Sequence, residues 1–170
     1  MQGTTLIEAL VYLALFSILM GGSVAAAYGM FESSDRNQTK ILLQQEGDFL
    51  IAKINWVLSG VQAINLPPVG SAGSILSVNK AIGVDLATGQ PIIISVGVSL
   101  SGTDINLSRA GNPGQPLNNS LVRVSNLIFI HNFGGGADPE SLQASFTLSA
   151  KAPNGMDVKQ DFATTKYLRK

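Results

Sequence analysis

The sequence predicts an α+β protein in which one long N-terminal helix packs on an antiparallel β-sheet. Residues 9–31 form an apolar run without a charged side chain, and apolar residues then recur every three or four positions to about residue 61. After residue 91 the apolar positions alternate instead, as in strands with one buried face. A single helix followed by hairpin-linked strands is typical of this class.

The composition excludes several kinds of chemistry. The chain has 170 residues, no Cys, one His, and 11 basic against 11 acidic side chains. Disulfides, thiolate metal sites and cysteine nucleophiles are therefore excluded, as are metal sites built from several histidines. Charged residues make up 13% of the chain, about half the usual share of 25%. Because the charges balance, the composition shows no excess of basic residues for binding the phosphates of a nucleic acid.

The apolar run is long enough to cross a membrane, which takes about 20 residues of helix. A secretory signal peptide fits less well, because the run is too long and no Lys or Arg precedes it. A buried core helix is the other alternative, but the rest of the chain is too small to enclose it. The side chains that we assign to the span are Ala9, Leu10, Val11, Leu13, Leu15, Phe16, Ile18, Leu19 and Phe31.

Glu8 is the one side chain among the first 31 that is charged at neutral pH. It lies at the edge of the span, where a carboxylate is costly unless it is paired. Either it sits among lipid head groups or it meets a cation. Arg36 is the first basic residue, so a chain-terminal amine is the cation that this part of the sequence offers.

Beyond the span, residues 32–40 are polar, and the helix is expected to continue with one buried stripe. The stripe comprises Leu43, Leu50, Ile54, Val57 and Val61, widened by Phe49 and Trp56. Gly60 and then Leu66-Pro67-Pro68 are expected to end this half, which we place at residues 32–63.

The head, residues 64–170, is expected to be rich in strands. The clearest strand follows Ile92, Ile94, Val96, Val98 and Leu100, and a turn at 101–104 leads into a returning strand. Residues 111–116 read as a loop, and residues 121–133 read as a strand. Two further strands are expected around 142–148 and 156–162, with shorter fragments at 75–78 and 82–86.

The segment Gly3-Thr4-Thr5-Leu6-Ile7-Glu8 and the span after it resemble the processing site of type IV prepilins and type II secretion pseudopilins. The resemblance implies that a prepilin peptidase removes residues 1–3, that the amine of Thr4 is methylated, and that Glu8 pairs with that amine in a neighbouring subunit. Residues 4–31 would then be the membrane and assembly half of the helix. The chain departs from the family in having Thr4 after the scissile bond and no basic residue in the leader.

The head also resembles the minor subgroup related to pseudopilin J, through residues 47–61, 90–110, 116–132 and 162–170. This implies a pilin-like fold and a minor pilin or pseudopilin. It would wait in the cytoplasmic membrane with its head outside and then enter a pilus or pseudopilus at the cell surface. The partners implied are the peptidase, other pilin or pseudopilin subunits, an assembly platform and, before assembly, membrane lipid.

Catalytic residues, cofactors and metal ligands are not expected. His131 is interpreted as a strand residue facing solvent or a neighbouring subunit, and no nucleophile-elbow motif accompanies it. Asp138 and Glu140 are too few for a typical Ca²⁺ site. Lys166, Arg169 and Lys170 are interpreted as a solvated tail, with contact to DNA as the alternative.

The sequence therefore favours a structural protein, cleaved after Gly3 and assembled through its helix. The alternative is a membrane-anchored binding module outside the cytoplasm, including one that takes up DNA. An anchored enzyme is the third hypothesis, disfavoured because no catalytic constellation is recognisable.

Overall fold

The computed structural model describes residues 5–134 and 139–168. One helix, α1, runs from Leu6 to Val57, and nine strands follow it. They are β1 Val61–Leu66, β2 Ala72–Gly73, β3 Ile75–Val84, β4 Pro91–Ser101, β5 Asp104–Arg109, β6 Gln115–Pro116, β7 Arg123–Asn132, β8 Ser141–Lys151 and β9 Asp157–Tyr167. The chain divides into two compact units, one ending at Gln38 and one beginning at Thr39. The α+β class is confirmed.

The strands form two antiparallel sheets, where the sequence led us to expect one. The first has the order β1-β3-β4-β5-β6 and the second the order β2-β7-β8-β9. The two sheets meet where the Val124 amide donates to the Thr103 carbonyl at 2.8 Å. Alternating residues identify strands but not their partners, which is why the number of sheets was wrong.

The part of α1 that belongs to the second unit buries one stripe in the core between the sheets. The predicted residues Leu43, Leu50, Ile54 and Val57 all lie on it. They meet side chains of the first sheet such as Leu76 and Val96 and side chains of the second such as Phe129, Phe146 and Leu148. Gly47 completes the stripe, and a Cβ on it would lie 2.1 Å from Phe162 Cε1.

The helix ends at Val57, six residues before the predicted boundary at 63. Gly60 has a φ of +71°, which reverses the chain into β1. Val61 accordingly belongs to β1 rather than to the buried side of α1. The expectation that Phe49 and Trp56 widen the stripe was also wrong, since both side chains are more than one-third exposed.

Most of the strands expected in the head are present. β4 and β5 form the predicted hairpin, and the fragments at 75–78 and 82–86 are one strand, β3, with an irregularity between Ala81 and Gly83. β9 runs five residues past its predicted end, to Tyr167. The short strand β6 lies inside the segment expected to be a loop.

The buried side-chain amide of Asn118 joins β5 to the segment between β6 and β7. Asn118 accepts a hydrogen bond from the Ile105 amide at 2.8 Å, and its own NH₂ group donates to the Val122 carbonyl at 2.8 Å. The neighbouring Asn119 amide donates to Glu46 Oε1 of the helix at 2.7 Å. These bonds hold the connection between β6 and β7 against both β5 and α1.

Candidate functional site

The first half of α1 presents apolar side chains on every side. Residues 6–34 are all exposed. The most apolar 18-residue window of α1 has a mean hydropathy of 2.0, so the helix is long and apolar enough to cross a membrane. The assigned residues Ala9, Leu10, Val11, Leu13, Leu15, Phe16, Ile18, Leu19 and Phe31 all lie in this helix and are exposed. A helix that is apolar all round is suited to lipid or to contact with other helices.

The two serines within residues 9–31 bond their hydroxyl groups to the backbone of their own helix. Ser17 Oγ donates to the Leu13 carbonyl and Ser23 Oγ to the Leu19 carbonyl, both at 2.8 Å. A hydroxyl bonded four residues back no longer needs water. These two hydroxyl groups can therefore leave water and remain hydrogen-bonded.

Glu8 lies in the first turn of α1. The Tyr12 hydroxyl donates to Glu8 Oε1 at 3.3 Å, and the amides of Glu8 and Ala9 donate to the Thr5 carbonyl. Thr5 and Glu8 also have the spacing of a capping box, in which the acidic residue supports the start of its own helix. Glu8 therefore has a local structural role available besides pairing with another chain, and an experiment has to separate the two.

Gly3 and Thr4, the predicted processing residues, lie outside the described residues. So do Asp138, Arg169 and Lys170, and the idea of a Ca²⁺ site at Asp138 and Glu140 stays untested. Across residues 5–134 and 139–168, no cluster of three or more His, Asp or Glu side chains is found that could hold a metal ion.

His131 is buried, with 1% of its surface exposed, so the expectation that it faces solvent or a neighbour was wrong. Its Nδ1 lies 2.9 Å from the Pro67 carbonyl oxygen and must donate to it, while its Nε2 lies 2.6 Å from Glu140 Oε1. Both atoms of the second contact are acceptors when the ring is neutral and the acid ionised. The two atoms can therefore bond only through a proton that lies between them. The pair fastens the loop after β1 to β7 and to the start of β8.

Trp56 forms a second cluster that the sequence did not predict. The Lys80 ammonium lies 3.8 Å and the Arg109 guanidinium 4.5 Å from the centre of the indole ring. Lys80 also donates to the Trp56 carbonyl and to Ser59 Oγ. Burial lowers the pKa of Lys80, and the charge of Arg109 lowers it further. The sequence gives little indication of this cluster, because Lys80 is a single lysine on β3 and its partner Trp56 lies 24 residues earlier in the chain.

A cleft of about 610 Å³ lies between residues 58–64 and the end of β9, with Glu140 at its side. Lys166, from the basic tail, lines it together with Tyr167 and Leu168. Its walls are formed by residues far apart in sequence, so no local motif could have revealed it.

The sequence matches no protein-family model, and comparisons with curated proteins and with solved structures give no match either. The assignment of a function therefore depends on this chain's own residues.

Proposed function

We propose that the protein is a structural subunit of a pilin-like fibre, a type IV pilus or a type II secretion pseudopilus, anchored in the membrane before assembly. The observation that carries the proposal is the exposed apolar helix with Glu8 in its first turn. The sequence Gly3-Thr4-Thr5-Leu6-Ile7-Glu8, which resembles the prepilin processing site, directly precedes the span.

The physical argument begins with the change of surroundings on assembly. Lipid tails are as apolar as the side chains of the span, so moving the helix from lipid to a bundle of helices gains little hydrophobic energy. Packing and polar contacts have to drive that step. In the proposed fibre, Glu8 supplies the polar contact by pairing with the amine of Thr4 in a neighbouring subunit.

The pairing would also set the register between subunits. A carboxylate at the centre of a membrane costs about 2.5–3.5 kcal/mol on insertion scales. A shift that left Glu8 without its cation would incur part of that energy in every subunit. The pairing needs a free amine close to Glu8, which cleavage after Gly3 by a prepilin peptidase would supply.

Mass spectrometry of the N-terminus tests the processing. Protein from cells that contain a prepilin peptidase should begin at Thr4 with a methylated amine. Recovery of chains that all retain Met1 would contradict the proposal.

Substitution of Glu8 tests the assembly. Glu8→Ala and Glu8→Gln should both insert in the membrane and be cleaved, yet enter fibres at least about tenfold less than the wild type. Loss of half the insertion cost given above corresponds to about that factor. Glu32→Ala is the matched control, since it removes one exposed carboxylate from the same helix.

The glutamine variant separates pairing from helix capping. Gln is accepted at the third position of a capping box, so Glu8→Gln keeps the cap and removes the charge. If Glu8→Gln enters fibres normally while Glu8→Ala does not, Glu8 acts on its own helix and the pairing mechanism is wrong.

A membrane-anchored binding module is the second candidate. The cleft between β1 and the end of β9 favours it, because its size falls in the range of small-molecule sites, roughly 300–1,000 Å³. This candidate needs neither cleavage nor assembly. An unprocessed anchor and a ligand that protects the cleft from chemical labelling would support it over the fibre subunit.

A further inference from the structure

The far end of the β3–β4 hairpin carries an exposed apolar surface, which we call the hairpin tip and define as residues 82–93. Its large apolar side chains are all at least 45% exposed, and Leu86 is fully so; the others are Ile82, Val84, Ile92 and Ile93. Large apolar surfaces of this kind mark interaction sites on soluble domains.

The tip is uncovered because the helix ends too early to reach it. Along β4, Val98 and Val96 are buried, Ile94 is half-buried, and Ile92 on the same side is exposed. Lys80, which pairs with Ile94, bonds to the carbonyl of Trp56 one residue before the helix ends. The irregularity after Ala81 then turns further apolar side chains outward.

The turn of the tip, residues 85–89, is held by its own hydrogen bonds. The Asp85 carboxylate accepts from the Ala87 amide and the Thr88 hydroxyl, both at 2.9 Å, and the Gly89 amide donates to the Asp85 carbonyl at 2.7 Å. The two bonds to the carboxylate, that from the Ala87 amide first, lower the pKa of Asp85. A surface that is already ordered loses little entropy on binding.

The exposed side of α1 in the head is also partly apolar, but it carries positive charge. We call it the helix stripe and define it as Phe49, Lys53 and Trp56 with the neighbouring Arg109. Lys53 Nζ lies 5.2 Å from the centre of the Phe49 ring, and Arg109 covers the ring of Trp56. Two cations, Lys53 and Arg109, therefore lie beside the two aromatic rings of this surface.

Residues 81–95 contain one charged side chain, Asp85, and it forms no ion pair in the described part of the chain. The tip is thus apolar with one anion, while the stripe is aromatic with two cations. We propose that the hairpin tip of one copy of the chain docks on the helix stripe of a second copy. Because the two surfaces differ, each copy can bind one neighbour through its tip and another through its stripe, an arrangement that can extend into an open filament.

This inference deepens the proposed function and rests on it, since an open contact between heads is what a fibre needs beside the packing of helices. The absence of Cys from the sequence gives a direct test. Full-length chains carrying Leu86→Cys are mixed with chains carrying Phe49→Cys in phosphatidylcholine vesicles and oxidised. Both side chains are exposed, and the emission of Trp56, the single tryptophan, verifies that the variants are folded.

The mixed disulfide should form at least about tenfold more than between Leu86→Cys and Ser125→Cys, an exposed position on the second sheet. Burying one apolar side chain that remains in the tip, such as Ile82, contributes about 1.5–3 kcal/mol, which corresponds to that factor or more. Lys53→Glu in the Phe49→Cys chain should lower the yield about threefold, as for an exposed ion pair. Asp85→Asn in the other chain keeps the turn and should abolish the effect of Lys53→Glu.

Equal yields for the Phe49 and Ser125 pairs would overturn the inference, as would a Lys53→Glu effect that persists beside Asp85→Asn. The vesicles contain no assembly machinery, so this result is independent of the Glu8 experiment. If the Glu8 variants fail to enter fibres while the disulfide is absent, the proposed function stands and the head contact is wrong. If the Glu8 variants enter fibres normally while the disulfide forms, the head contact stands and the pairing of Glu8 is wrong.

Discussion

Replacing Gly47 by Ala should destabilise the head, although the same change stabilises an ordinary helix. A Cβ on Gly47 would lie 2.1, 2.2 and 2.6 Å from three atoms of the Phe162 ring. The ring is buried and stacks on Phe146, with the two centroids 5.6 Å apart. It cannot move away without losing that contact.

The magnitude follows from two opposing terms. Overpacking a core typically costs 1–3 kcal/mol, and because carbon atoms in contact lie about 3.5–4.0 Å apart, this overlap belongs near 3 kcal/mol. Alanine regains about 1 kcal/mol of helix propensity. The net expectation is a loss of about 2 kcal/mol, or a shift of the urea midpoint by about 1 M if the slope is near 2 kcal/mol per M.

The measurement is urea unfolding of the full-length protein in detergent micelles, followed by Trp56 fluorescence. Gly29→Ala is the matched control, because nothing within 4 Å of that position would meet a Cβ. It should leave the midpoint unchanged or raise it. Phe162→Leu should lower the free energy of unfolding much less in the Gly47→Ala variant than in the wild type, because the smaller side chain makes room for the methyl group. A Gly47→Ala midpoint at or above that of the wild type would refute the close packing.

Two further predictions concern buried polar groups of the head. Because the pKa of Lys80 lies below 10.5 in the folded state, the unfolded state binds more protons between the two values. The unfolding free energy of the wild type relative to Lys80→Met should therefore rise as the pH approaches 10.5, and a fall would contradict the burial of the ammonium group. His131→Leu should lower the unfolding free energy by about 2 kcal/mol, because it leaves the Pro67 carbonyl and the Glu140 carboxylate without this partner. Asn132→Leu on the exposed side of β7 is its control, and equal midpoints for the two variants would show that the buried pair is not stabilising.

The sequence predicted what depends on local periodicity. The helical stripe at Leu43, Leu50, Ile54 and Val57 and the hairpin from Pro91 to Arg109 both follow from the spacing of apolar residues. Glu8 stands out in the sequence as the lone charge beside a long apolar run, and its role in assembly stays a prediction.

The features that the sequence did not predict depend on contacts between distant segments. Phe49 and Trp56 fit the helical rhythm, yet they lie at the surface because the sheets cover only the stripe of Gly47 and Leu50. His131 was expected at the surface because its two partners, Pro67 and Glu140, come from other segments. The division into two sheets has the same origin, since pairing is decided by tertiary contacts.

The glycines of α1 connect the fold to the proposed assembly. Each glycine within a helix costs about 1 kcal/mol relative to alanine. For Gly47 this cost is offset by packing within the chain, because the Phe162 ring fits against the helix only where the side chain is a hydrogen atom. Gly21, Gly22 and Gly29 have nothing within 4 Å in the chain that a Cβ would meet, and lipid places no such demand on a helix. Small residues do have a use where two helices approach closely in a membrane, which is the contact that assembly through residues 9–31 would create.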